Sequence, residues 1–177
     1  MTRRALVAAA AGTAALAILA AAGARPDSAQ AARGEGLQVG QAPPAFSATD
    51  LNGLTQSLGE HDGEILVLHF WATWCGICRG EIPKLITLHE EFGSKGVTVL
   101  AVSVDEDLWT LRRYIERRKL PYVIVPDSSQ RSSIAKQYGI YGVPTTYIIS
   151  RDGKILARII GPSDLVGRVR RILSEAS

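Results

Sequence analysis

Cysteine is scarce in this chain: Cys75 and Cys78 are the only two in 177 residues. That count excludes a structural zinc site built on cysteines, which needs four ligands. Histidine offers little help, because His61, His69 and His89 stand at no recognisable ligand spacing from the cysteines. Neither a metal ion nor any other cofactor is therefore expected. A c-type haem attachment needs histidine directly after the second cysteine, and Arg79 stands there instead. Internal repeats are lacking, and beyond the N-terminus so are low-complexity segments. A strong charge surplus is lacking too. Residues 1–31 hold three of the 20 basic and one of the 17 acidic residues, leaving a surplus of one positive charge over the rest. That is no electrostatic footprint for nucleic acid. The run Arg112–Lys119 looks basic but has helical spacing, and reads as a solvated helix face, with a partner-docking patch as the alternative.

Hydrophobic residues are plentiful at 46%, enough for one domain of ordinary size with a substantial core. Such a core needs no staple, and a disulfide closing so short a loop would remove little unfolded-state entropy. The N-terminus is set apart from this domain. Arg3-Arg4 precede an apolar run from Ala5 to Ala22, and Ala22-Gly23-Ala24 and Ala29-Gln30-Ala31 both fit a small-x-small cleavage site. We expect residues 1–31 to be an export signal, with an uncleaved membrane anchor as the alternative and a twin-arginine route as a minor option. Residues 32–40 read as a linker and 41–177 as the domain. An exported domain lies where disulfides persist.

The domain alternates strand and helix patterns. Ala45–Thr49 and Leu54–Ser57 flank an Asn52-Gly53 turn signal, predicting a hairpin. Ile65–Phe70 and Val97–Val104 are near-continuous apolar runs of buried strands. Helical spacing covers Cys78–Phe92, Asp107–Lys119, Ser129–Tyr138 and Ser163–Ser174, the last with Ser163 as cap. Tyr122–Val125, Thr145–Ile149 and Ile155–Ile160 supply the remaining strands. The order implies an α/β fold with a mixed central sheet flanked by helices.

The chemistry concentrates in Trp71-Ala72-Thr73-Trp74-Cys75-Gly76-Ile77-Cys78. A buried strand leads straight into a helix, placing Cys75 at its N-terminus. There the free backbone N–H groups and the helix dipole stabilise a thiolate. Cys78, one turn on, is within reach to resolve a mixed disulfide. Pro83 lacks an N–H and should kink the helix beyond its first turn. A second element is Gly142-Val143-Pro144-Thr145, where a proline entering a strand is either an ordinary trans residue or a cis one. In the cis case the backbone of Val143 would turn outward to pair with an extended peptide.

With these two motifs together, the sequence resembles the thioredoxin superfamily, and more closely its exported TlpA/ResA/DsbE-type thiol–disulfide oxidoreductases. The resemblance covers roughly residues 37–175. It implies a thioredoxin fold with an N-terminal β-hairpin and an inserted helix and strand. It implies Cys75 as attacking thiol, Cys78 as resolving thiol, cis Pro144 beside them and Trp74 shielding the disulfide. Glu81, three residues after Cys78, matches a glutamate implicated in proton handling in ResA-type members; it also suits the first helical turn by its charge. His69 stands where plain thioredoxin has a buried aspartate, and is either a core histidine or a proton relay. The implied activity is reduction of a client, apocytochrome c or a copper-assembly protein, with re-reduction by a DsbD- or CcdA-type membrane donor. A disulfide-forming oxidase and a non-catalytic Cu(I)-binding module are the rival readings.

Overall fold

The computed structural model describes residues 37–127 and 133–175. The expected signal, residues 1–31, and residues 32–36 of the expected linker lie outside them. Residues 37–40 are in contact with the domain: Leu37 packs on its core, and the Gly40 N–H donates to the Ile155 carbonyl at 2.8 Å.

A short antiparallel hairpin comes first, β1 (Ser47–Thr49) with β2 (Thr55–Ser57). Its connection is wider than the Asn-Gly signal predicts. The Asp50 carboxylate accepts from the Asn52 and Leu54 N–H groups at 2.8 and 2.9 Å, while Gly53 takes a left-handed φ of 86°. The central sheet has the order β5-β4-β3-β6-β7. Strands β3 (Ile65–Trp71), β4 (Val97–Ser103) and β5 (Val123–Pro126) run parallel; β6 (Thr145–Ile149) and β7 (Ile155–Ile160) complete it antiparallel. All seven residues of β3 are buried, as a central strand covered on both faces requires.

Alternation along β3 divides the core in two. Ile65, Val67 and Trp71 face α1 (Gly76–Phe92), whose Ile82, Leu85 and Leu88 pack on them. The same layer takes Leu111 and Tyr114 of α2 (Leu108–Arg118) and Leu165 and Val169 of α4 (Leu165–Glu175). Leu66, Leu68 and Phe70 face the other side, packing with Phe46 and with Tyr138, which follows the short α3 (Ile134–Gln137). Three helix boundaries differ from expectation. Helix α1 begins two residues before Cys78, because Cys75 itself is the cap, and it continues through Pro83 to Phe92. Of the helix expected over Ser129–Tyr138, the described part is α3, capped by the Ser133 side chain, and 129–132 lie outside the described residues. Helix α4 is capped by Asp164 rather than Ser163: its Oδ1 accepts from the Gly167 N–H at 2.9 Å.

Candidate active site

Strand β3 delivers the chain at the edge of the core, and Ala72-Thr73-Trp74 turn it into α1. Cys75 is the N-cap, with extended φ/ψ of −79° and 106°. Its Sγ accepts from the Cys78 N–H at 3.1 Å, the bond a cap side chain makes to the first helical turn. The two sulfurs are joined as a disulfide, with Cα atoms 5.3 Å apart. Cys75 remains 8% exposed, whereas Cys78 is wholly buried. An incoming group can therefore reach only one of the two sulfurs. The first turn of α1 contains no acidic residue to compete with a thiolate. On opening of the bond, the Cys78 amide and the helix end both favour negative charge on Cys75.

The Val143–Pro144 peptide is cis, and the Val143 carbonyl oxygen lies 3.7 Å from Cys75 Sγ. Pro144 is buried beneath, and Val143 is half-buried. Trp74, Ile77 and Tyr141 are exposed large side chains around this point, at 67%, 59% and 99%. Cys75, Cys78, Val143 and Pro144 thus come together, with Trp74 next to Cys75 in the chain.

Glu81 and His69 are buried behind this front, at 2% and 1% exposure. Glu81 follows Cys78 by one helical turn, on the inward face of α1; because the helix starts at Gly76, Glu81 stands past the first turn that its charge was expected to suit. Its carboxylate is engaged: Oε1 pairs with Lys84 Nζ at 2.7 Å and Oε2 accepts from the Ser163 N–H at 3.4 Å. Lys84 Nζ also donates to the Ser163 carbonyl at 2.8 Å, so the pair ties α1 to the residues entering α4. His69 occupies the α1-facing register of β3, between Val67 and Trp71. Its Nδ1 lies 2.9 Å from Thr146 Oγ1, its register partner on β6, and its Nε2 is buried without a partner. Burial pushes its pKa down to about 4, so the ring is neutral at physiological pH.

A residue that the sequence reading did not single out holds the site's entry. Asp105, 4% exposed just past β4, accepts from the Thr73 N–H at 2.9 Å, Thr73 Oγ1 at 2.6 Å and Ser103 Oγ at 2.7 Å. The Val104 N–H donates to the Trp71 carbonyl at 2.9 Å alongside. The turn that positions Trp74 and Cys75 is thereby bolted to β4. The only sequence signal is an aspartate closing a buried strand two residues after Ser103, which is weak.

A dithiol that opens and closes at the tip of a helix, on a sheet of this order, is the equipment of a thioredoxin-fold thiol–disulfide oxidoreductase. Residues 39–158 match the AhpC/TSA family, and the chain belongs to it, among ResA-type members. The ResA thiol-disulfide oxidoreductase of Bacillus anthracis is 33% identical over 127 residues, covering 72% of each chain. The thioredoxin domain of a thiol-disulfide oxidoreductase from Bacteroides vulgatus superposes with a TM-score of 0.71 at 29% identity, over 78% of this chain and 99% of that one. StoA from Bacillus subtilis matches with a TM-score of 0.62 at 25% identity, over 76% of this chain and 98% of that one.

Proposed function

We propose that the chain works outside the cytoplasm as a reductant of disulfides in client proteins. The observation that supports this best is the unequal burial of the two sulfurs at the helix tip. Cys75, as thiolate, attacks one sulfur of the client disulfide and displaces the other as a thiolate, forming a mixed disulfide. Cys78, deprotonated in turn, attacks Cys75 Sγ, releases the reduced client and closes the Cys75–Cys78 bond. Two electrons pass to the client, and a membrane donor of the DsbD or CcdA type restores the dithiol. The export-signal pattern in the sequence of residues 1–31 and the ResA resemblance support this location, and the resemblance alone supports an apocytochrome c or copper-assembly client.

In this cycle Glu81 is the group that takes the proton from Cys78, since it follows that cysteine on the same helical face. Trp74 and the Val143 backbone receive the client chain, and buried Pro144 backs them. His69, with one ring nitrogen unpaired on the α1 side of the sheet, is the reserve proton carrier.

A redox titration against glutathione or dithiothreitol tests the direction. Thioredoxin-like and DsbA-like couples differ by about 150 mV, roughly 7 kcal/mol for two electrons. A potential near the thioredoxin end is expected, and one near the DsbA end selects the oxidase. Cys78→Ser should trap clients on Cys75 in cells. Stoichiometric Cu(I) binding with no trapped client and no insulin reduction selects the metal-holding module instead.

A further inference from the structure

One flank of the redox centre has a composition that disulfide exchange does not require. An open groove of about 690 Å³ runs from Thr73 and Trp74, beside the attacking sulfur, across Arg79 to Tyr114, Arg117 and Arg118 of α2. Three guanidinium groups and no carboxylate line it. Among the described residues the ion pairs are His61–Glu64, Lys84–Glu81 and Lys154–Asp152, so none of the three arginines has an acidic partner. Asp107, near the start of α2, is spent on its own helix, accepting from the Trp109 N–H and Thr110 Oγ1.

The basic run on α2 is therefore not one uniform solvated face. Arg112 donates to the Leu51 carbonyl, and Arg113 stacks on Trp109 at 4.5 Å. Arg117 and Arg118, one turn and more beyond, line the groove. Arg118 lies 5.7 Å from the Tyr114 ring centroid, and Arg117 Nε reaches only its own helix, the Arg113 carbonyl at 3.3 Å. At the base, Tyr114 is 8% exposed with its hydroxyl buried and lacking any hydrogen-bond partner. A buried hydroxyl left unpaired is costly, and a ligand acceptor would relieve it. Trp74 adds a flat, exposed wall. Planar guanidinium forks match carboxylates in bidentate pairs, which favours acidic side chains over other occupants.

We propose that this groove docks an acidic segment of the client polypeptide, its Asp or Glu side chains meeting Arg79, Arg117 and Arg118 while the neighbouring client disulfide lies over Cys75. The inference rests on the reading that Cys75 exchanges with a protein disulfide, yet docking itself needs no electron transfer. The oxidised protein is titrated with a cysteine-free peptide bearing four Asp/Glu residues and with its lysine counterpart, following Trp fluorescence. The acidic peptide should bind about tenfold more tightly at low salt, and the preference should vanish at high salt and in Arg117→Gln/Arg118→Gln. Equal binding of both peptides, a preference that survives the double substitution, or displacement by inorganic phosphate at concentrations equal to the peptide's would overturn the proposal. Disulfide-bearing versions of the two peptides then separate the two claims. If neither is reduced by the dithiol form, the reductase reading fails, whatever the titration shows.

Discussion

Two loops flank the disulfide, and they are built in opposite ways. The Ala72–Cys75 turn is buried up to Thr73 and fastened to the end of β4 by Asp105, which accepts from the Thr73 amide and hydroxyl and is itself held by Ser103 Oγ. The Tyr141–Val143 segment across from it is open: Tyr141 and Gly142 are exposed, and the Thr145 hydroxyl bond to the Gly142 carbonyl at 2.8 Å is its nearest side-chain tether. The difference separates two tasks. The sulfur needs a fixed address relative to the helix end that stabilises it, because the favourable field falls off within a turn. The opposite lip, in the proposed cycle, offers backbone to a client and would gain nothing from being locked.

Substitutions can break this contrast, and the largest effect falls on the sulfur. Cys75→Ser should bring disulfide reduction down to background in an insulin assay, because no other sulfur is reachable. Next comes the bolt. Asp105→Ala leaves the Thr73 amide and two hydroxyls without an acceptor, which should cost about 4 kcal/mol in urea unfolding. Asp105→Asn should cost less, because its carbonyl oxygen still accepts. A loss under 1 kcal/mol for the alanine variant would mean that the two loops are equally free.

His69 sharpens the contrast through pH. Its folded pKa, about 4, lies below the ordinary 6.5, so the unfolded chain gains a proton that the folded chain refuses. Stability should therefore fall as pH drops below 6.5 and level off near pH 4, a loss of about 3 kcal/mol from this residue. His69→Gln should flatten that limb in unfolding curves taken across the range. The smallest effect is expected on the open lip. Tyr141→Ala should change stability by less than about 0.5 kcal/mol, because the side chain touches so little. Its effect should show instead in a raised KM for protein clients.

The parts legible in the sequence are those governed by local pattern. Continuous apolar runs gave away β3 and β4, since a central parallel strand is buried on both faces, and the mixed sheet followed from the element order. The direct passage from a buried strand into a helical pattern located the helix tip at Cys75. What stayed hidden depends on contacts between distant residues. Asp105 meets Thr73 across 32 positions, and nothing near either residue announces the other. The partners of Glu81 divide along the same line, since Lys84 is a neighbour on the helix while Ser163 arrives from the far end of the chain. Cap identity was missed at α4 because Ser163 and Asp164 are equally good candidates by type, and only the direction of the incoming chain decides between them.

The complete enclosure of Cys78 has a bearing on how this protein withstands chemical attack. A peroxide can reach only the outer thiol, and any sulfenic acid formed there has a built-in neighbour one turn away to condense with, expelling water. Injury therefore ends as the ordinary ring-closed state, which thiol–disulfide exchange can undo, and not as an irreversible higher oxide.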